Sequence, residues 1–170
     1  MDMEAQSHSS HPEALRLWLR LLTCTQLVEK QVRGHLREQF DTTLPRFDLM
    51  AQLQRNPDGL KMNELSRRMM VTGGNVTGIT DQLVREGLVE RLQVDGDRRA
   101  YRVRLTARGR KAFDDMACQH EAWIVSAFEV LSTREVDALY KLLGKVKAHH
   151  HASHPAPNPA QPENPQLEAV

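Results

Sequence analysis

The sequence predicts a mainly α-helical protein carrying one small β-ribbon. Three observations predict it. The composition is 40% hydrophobic but only 5% aromatic, which suits a core of Leu, Val, Met and Ala in helices better than a β-sandwich. Apolar residues recur at spacings of three and four through most of the 170 residues. At one place, just after Gly87, that period changes to two.

The length suits one domain with tails. No apolar run approaches the roughly 20 residues that cross a bilayer. The opening "MDMEAQSHSSHPEA" is polar and acidic, unlike a secretory signal. A cytoplasmic protein without a membrane partner is expected. Cys24 and Cys118 agree with a reducing compartment and read as two buried small hydrophobes rather than a disulfide.

Residues 1–12 read as a disordered polar leader. "PEALRLWLRLLTCTQLVEKQVRGHLREQF" then runs as a long helix, with Pro12 and Glu13 suited to its first turn. Leu17, Leu21, Cys24, Val28 and Val32 form its stripe, widened by Leu15, Leu19 and Leu22. That band exceeds what a small domain needs and predicts burial against a second chain. After a break at Thr42 to Pro45, "RFDLMAQLQRNPDG" gives a second helix, with Phe47, Met50, Ala51 and Leu53 or Gln54 inward, and a turn at "NPDG".

"KMNELSRRMM" is a short helix with Leu65 and Met69 inward. "VTGGNVTGITDQLVREG" follows, with Val76, Ile79, Leu83 and Val84 as its buried stripe and Gly87 at the left-handed position after its end. Two short helices joined by a tight link are a helix-turn-helix pattern. In the period-two segment, Leu88, Leu92 and Val94 are expected on one face of the first strand. Tyr101, Val103 and Leu105 alternate with Arg102 and Arg104 on the second, and Asp95-Gly96 turns between them. The ribbon should thus have an apolar underside and a basic upper side.

Helix resumes at Ala107, where Phe113, Met116, Ala117, His120, Trp123, Ile124 and Phe128 trace one face. "STRE" at Ser132 to Glu135 is a capping box. The last helix then carries Val136, Leu139, Leu143 and Val146 at helix-packing spacing. Residues 149–170 hold five prolines in the final sixteen positions and read as a disordered Pro-rich tail.

Catalytic chemistry finds no foothold. "TGG" at Thr72 to Gly74 lacks the spacing of a phosphate-cradling loop, and no Ser, His and acid stand out as a set. Cys118 and His120 have no second pair at metal-ligand spacing. No enzyme, no cofactor and no metal are expected.

Charge points elsewhere. From Glu90 to Lys111 there are eight Lys/Arg against three Asp/Glu, while the whole chain nets only +1. A helix-turn-helix followed at once by a basic ribbon is a winged helix, which sets its second helix in the major groove of double-stranded DNA and its ribbon on the flanking backbone or minor groove. Gly73, Gly74 and Gly78 are poor helix formers, but they permit close approach to the groove floor, unless the segment is a loop with a late helix start. Thr72, Asn75 and Thr77 can then meet base edges or phosphates, with Asn75 suited to adenine. Arg102 and Arg104 suit phosphates, and Arg98 and Arg99 at the tip suit groove insertion, the alternative for all four being plain solvation. Asp97 makes sense beside them if it pairs with an arginine and aims it.

"ELSRRMMVTGGNVTGITDQLVREGLVER" followed by "DGDRRAYRVRLTARG" resembles the MarR family of bacterial transcriptional regulators, over about Leu15 to Lys147. The most specific part is Asp97-x-Arg99 with "VRLTARG" downstream. The resemblance implies a winged helix-turn-helix domain plus a helical dimerisation region over 13–148. The dimerisation helices would span 13–40 and 107–148, and the DNA-binding lobe 44–106. It implies a homodimer on a palindromic operator, with Thr72 to Glu86 in the major groove and Arg99 in the minor groove, steadied by Asp97. It also implies a repressor released by a small-molecule effector. "RLWLRLLTCT", "TTLPRFDLM" and "TGGNVTG" resemble the branch governing aromatic and hydroxycinnamate catabolism, whose effector would be an aromatic acid or its acyl-CoA thioester. Trp18, Arg46, Phe47 and Met50 would then line the ligand site, though all four fit helix packing equally well. Two alternatives stand beside this: a peroxide-sensing regulator of the same family acting through Cys24, and a winged-helix protein-interaction module.

Overall fold

A computed structural model describes residues 12–69, 73–94 and 97–153. Six helices and a three-stranded antiparallel sheet follow one another as α1 (Pro12–Phe40), α2 (Leu44–Gln54), β1 (Leu60–Lys61), α3 (Met62–Met69), α4 (Gly73–Arg85), β2 (Val89–Val94), β3 (Asp97–Leu105), α5 (Ala107–Phe128) and α6 (Thr133–Ser153). The chain divides into two compact units, residues 1–127 and 128–170.

In the first unit, α1 ends where Asp41 takes a left-handed conformation at φ 47. α2 starts from an extended Thr43, with Pro45 in its first turn where a missing N–H is harmless. Phe47, Leu49, Met50 and Leu53 of α2 are buried with Leu36 of α1, Leu65 of α3, Val76 and Leu83 of α4, and Phe113, Met116 and Trp123 of α5. The "NPDG" turn leads through Gly59 at φ +83 into β1. A Cβ at Gly59 would lie 2.8 Å from the Val103 carbonyl oxygen, so only glycine lets β1 run beside β3 here.

The sheet order is β1-β3-β2. β1 adds a third strand to the expected ribbon, pairing Leu60 with Val103 and Lys61 with Arg102. The face assignment of β2 is corrected. Val89 is opposite Leu105 and Arg91 is opposite Val103, so among the described side chains of β2, which leave out that of Val94, the buried one is Val89. Leu92 pairs with Arg102 and shares its outward face. The reason lies one residue earlier. The Gly87 N–H donates to Val84 O and the Leu88 N–H to Leu83 O, both at 3.0 Å, which makes Leu88 the last residue of a Schellman cap on α4 rather than the first of the strand.

α5 begins against this cap. The Thr106 hydroxyl donates to Gly87 O at 2.8 Å and accepts from the Gly109 N–H at 2.9 Å. A Cβ on Gly109 would stand 1.9 Å from Leu88 O. Phe113, Met116 and Trp123 of α5 face inward as expected, with Ala117, His120 and Ile124 partly so. Along α1 only Val32 and Leu36 are buried, while Leu15, Leu17, Trp18 and Leu27 are exposed. Cys24 and Cys118 are likewise exposed free cysteines, so the reading of both as buried hydrophobes does not hold: each lies on a side of its helix that the chain itself leaves open.

In the second unit the expected capping box forms. Ser132 N–H and Oγ donate to the Glu135 carboxylate at 2.8 and 2.7 Å, and these bonds, the hydroxyl's first, hold the Glu135 carboxyl below its ordinary pKa. Val136, Leu139, Leu143 and Val146 are all exposed. α6 continues to Ser153, five residues beyond the expected boundary at 148, because "HHHAS" contains no helix breaker. The rest of the expected tail and residues 1–11 of the leader lie outside the described residues.

Gly109→Ala is expected to lower stability by about 1–3 kcal/mol, because the clashing atom is a backbone oxygen that cannot swing aside. Denaturant unfolding checks this, and an unchanged midpoint would contradict it.

Candidate nucleic-acid interface

α4 is oriented by its buried side. Val76, Thr80 and Leu83 are fully enclosed and Ile79 nearly so. The Thr80 hydroxyl donates to Val76 O at 2.8 Å, which satisfies that buried polar group. On the other side Asn75, Gly78, Gln82 and Arg85 are exposed, and steps of three, four and three residues align them in one stripe. Thr77 is exposed beside it. A Cβ at Gly78 would meet nothing within 4 Å. Unlike Gly59 and Gly109, Gly78 answers no need of the fold.

Gln82 and Arg85 were not singled out from sequence, nor were Arg67 and Arg68, which are exposed at the end of α3. The signal for the first two was present, since they continue the spacing of Asn75 and Gly78. Of the expected contact residues, Thr72 lies outside the described residues. Gly73 and Gly74 open α4, and Asp97, Arg98 and Arg99 open β3, but the side-chain surroundings of these five also lie outside the description. Arg102 is exposed, its Nη1 3.4 Å from Gly59 O.

The basic upper face expected of the ribbon is partly answered within the chain, while Arg102 stays exposed. Arg104 is answered by Glu90 directly opposite, at 2.7 Å. Arg91 pairs with Asp81 of α4. Arg108 donates to Glu86 O at 3.0 Å and Arg110 to Leu105 O at 3.3 Å, so both also brace the fold.

The four residues expected around a ligand are dispersed. Trp18 is exposed on α1, and no hydrogen bond or ring contact among the described residues ties it to the other three. Phe47 is buried, with ring centroids of Phe113 and His120 at 5.3 and 4.8 Å. Met50 is buried in the core. Arg46 is half-buried and pairs with Glu86 beyond the end of α4, while its Nε is buried without a hydrogen-bond partner.

A protein-family model described as MarR family matches residues 40–100. An HTH-type transcriptional regulator of Bacillus cereus is 31% identical over 134 residues, which cover 78% of this chain and 88% of the relative. The crystal structure of a MarR family transcriptional regulator from Silicibacter pomeroyi is 30% identical with a TM-score of 0.68, covering 84% of this chain and 99% of that one. This chain belongs to the MarR family of transcriptional regulators. A MarR family member of this kind is a DNA-binding regulator with a winged-helix fold. A cysteine-to-serine variant of E. coli MarR, crystallised with operator DNA, matches at a TM-score of 0.68 and 26% identity over 81% of this chain and 98% of its own. Among the described residues no helix is long and apolar enough to cross a membrane.

Beside Arg46 and Phe47, Asp48 keeps an exposed edge. Desolvation nevertheless raises its carboxyl pKa above the ordinary value, against the pull of His120 and Arg33, with Glu29 adding to the rise. A raised pKa favours the protonated form in the folded chain. That contribution is full below the ordinary carboxylate pKa and is lost as pH rises through the raised value. Asp48→Asn is therefore expected to raise Tm at neutral pH, with the difference from wild type shrinking as pH falls. Thermal melting across a pH series checks both parts, and a variant less stable at neutral pH would contradict them.

Proposed function

We propose that this chain is a homodimeric, ligand-responsive repressor of a palindromic operator. α4 lies in the major groove and the β2–β3 wing follows the adjoining minor groove. The observation that carries this reading is Gly78. A glycine inside a helix costs up to about 1 kcal/mol relative to alanine, and among the described residues nothing lies within 4 Å of the space its missing side chain leaves; Gly34 and Gly144 share this, but only Gly78 lies in the exposed stripe of α4. Close approach of a partner to that face accounts for it, and the major groove is wide enough to admit a helix. Asn75 and Thr77 then reach base edges or phosphates, with Thr72, Gly73 and Gly74 at the helix entry. Arg102 holds backbone, and Arg98 and Arg99 at the tip serve the groove, Arg99 entering the minor groove aimed by Asp97.

The dimer is supported by apolar surface. Leu15, Leu17, Trp18 and Leu27 on α1, and Val136, Leu139, Leu143 and Val146 on α6, are exposed. Apolar side chains left open in such number suit an interface between copies. Twofold symmetry in the protein asks for a palindrome in the DNA. For the effector we retain the class the sequence resembles, an aromatic acid or its coenzyme A thioester. Arg46 offers a buried, unpartnered Nε beside Phe47 and Met50 on α2, and Trp18 offers an open ring on α1. Such a ligand releases DNA only by binding the DNA-incompetent form better. Peroxide sensing through Cys24, an exposed free cysteine in the single chain, is the second reading; loss of DNA binding on peroxide treatment, abolished by Cys24→Ser, would establish it instead.

The test uses an operator duplex selected by the wild-type protein from a randomised pool. Gly78→Ala is expected to move two readings in opposite directions: Tm rises, because alanine stabilises the helix, while operator affinity falls about tenfold, a penalty of roughly 1.4 kcal/mol. Unchanged affinity would remove the groove reading of that face. Arg99→Ala is expected to weaken binding strongly with the dimer intact by sedimentation, and Asp97→Ala more mildly. Tighter binding by Asp97→Ala would show that the acid merely repels phosphate.

A further inference from the structure

Arg91, at the root of the wing, holds two other elements at once. It pairs with Asp81 on the flank of α4, and its guanidinium lies 4.9 Å from the centroid of the Tyr101 ring on β3. The strand register puts Arg91 opposite Val103, so Tyr101 is its diagonal neighbour on the same face of the sheet, within reach of a long side chain. A single guanidinium thus touches α4 and β3 from β2.

The position along the ribbon matters. β1 supports β3 only at Arg102 and Val103. From there to its tip the wing is a pair of strands, and a two-stranded ribbon alone holds its shape poorly. The Schellman cap fixes the turn between α4 and β2 but not the inclination of the strands beyond it. Arg91 lies at the level where the third strand stops. Arginine suits this work, since its planar group can meet a carboxylate at its edge and a ring on its face together.

We propose that Arg91 is a positioning residue that sets the inclination of the wing against α4, so that both elements reach their grooves on the same operator half-site. The proposal rests on the reading of α4 and the wing as the DNA-contacting elements. Asp81 is one jaw of the clamp rather than a misplaced charge on a phosphate-facing lobe, and Tyr101 is the other.

Asp81→Asn tests it, because the two accounts of Asp81 differ in sign. If the acid only repelled DNA, the near-isosteric amide would tighten binding. As part of the clamp, its loss is expected to weaken affinity for the selected duplex by about tenfold. Hydroxyl-radical protection along the wing's minor groove should fade while protection of major-groove bases by α4 stays. Arg91→Gln should act alike, and the double variant should lose no more than the worse single one, since both act through one pair. Equal or tighter binding by Asp81→Asn, or losses that add in the double variant, would overturn the proposal. A wild-type chain that selects no duplex would overturn the operator reading and this one with it.

Discussion

At Gly109 the first turn of α5 comes so close to the carbonyl of Leu88 that no side chain fits between them. Around that contact the chain ties a knot of short bonds. Thr106 bridges Gly87 O and the Gly109 N–H, its own N–H donates to Leu88 O at 3.0 Å, and Arg108 reaches Glu86 O. Three parts meet here: the end of α4, the root of the wing and the start of α5. Carbonyls left over at the end of one helix are satisfied by the cap of the next, so α4 cannot tilt without disturbing α5.

The positive charge that sets the wing apart in sequence is spent on two tasks. Arg91 and Arg104 answer Asp81 and Glu90, and Arg108 and Arg110 answer backbone carbonyls. These interactions hold the lobe in shape. Exposed pairs of this kind add little stability each, and their value lies in direction. Arg67, Arg68 and Arg85 are the exposed cations at the ends of α3 and α4. Arg85 ends the stripe of Asn75, Gly78 and Gln82 on α4, so that face carries a positive charge at its C-terminal end.

Elements governed by local rules were legible in the sequence. The stripe of Val76, Ile79 and Leu83, the left-handed Gly87 and the Ser132–Glu135 box each depend on residues within a few positions of one another. The misreading of β2 came from a local competition, because Leu88 satisfies either a strand or a helix cap and only the cap's hydrogen bonds decide. β1 has two residues, too few to show a period. The prolines of the tail drew the end of α6 too early, although the five residues before His154 contain none. The partners of Arg46 and Arg91 were out of reach because they depend on which helix lies beside which strand. Gln82 and Arg85 are within reach of the sequence, because they continue the helical spacing of Asn75 and Gly78.

The apolar residues of α1 and α6 that the chain leaves uncovered, the open face of α4 and the surviving cations all ask for partners outside a single chain. On the proposed reading, double-stranded DNA bound by two copies satisfies them together. Affinity for the selected duplex, measured over a salt series, tests this most directly. Contacts to several phosphates by each protomer predict a straight log–log fall of roughly −0.9 per phosphate neutralised. A nearly flat dependence would mean that no phosphates are engaged, and that the winged helix docks on protein instead.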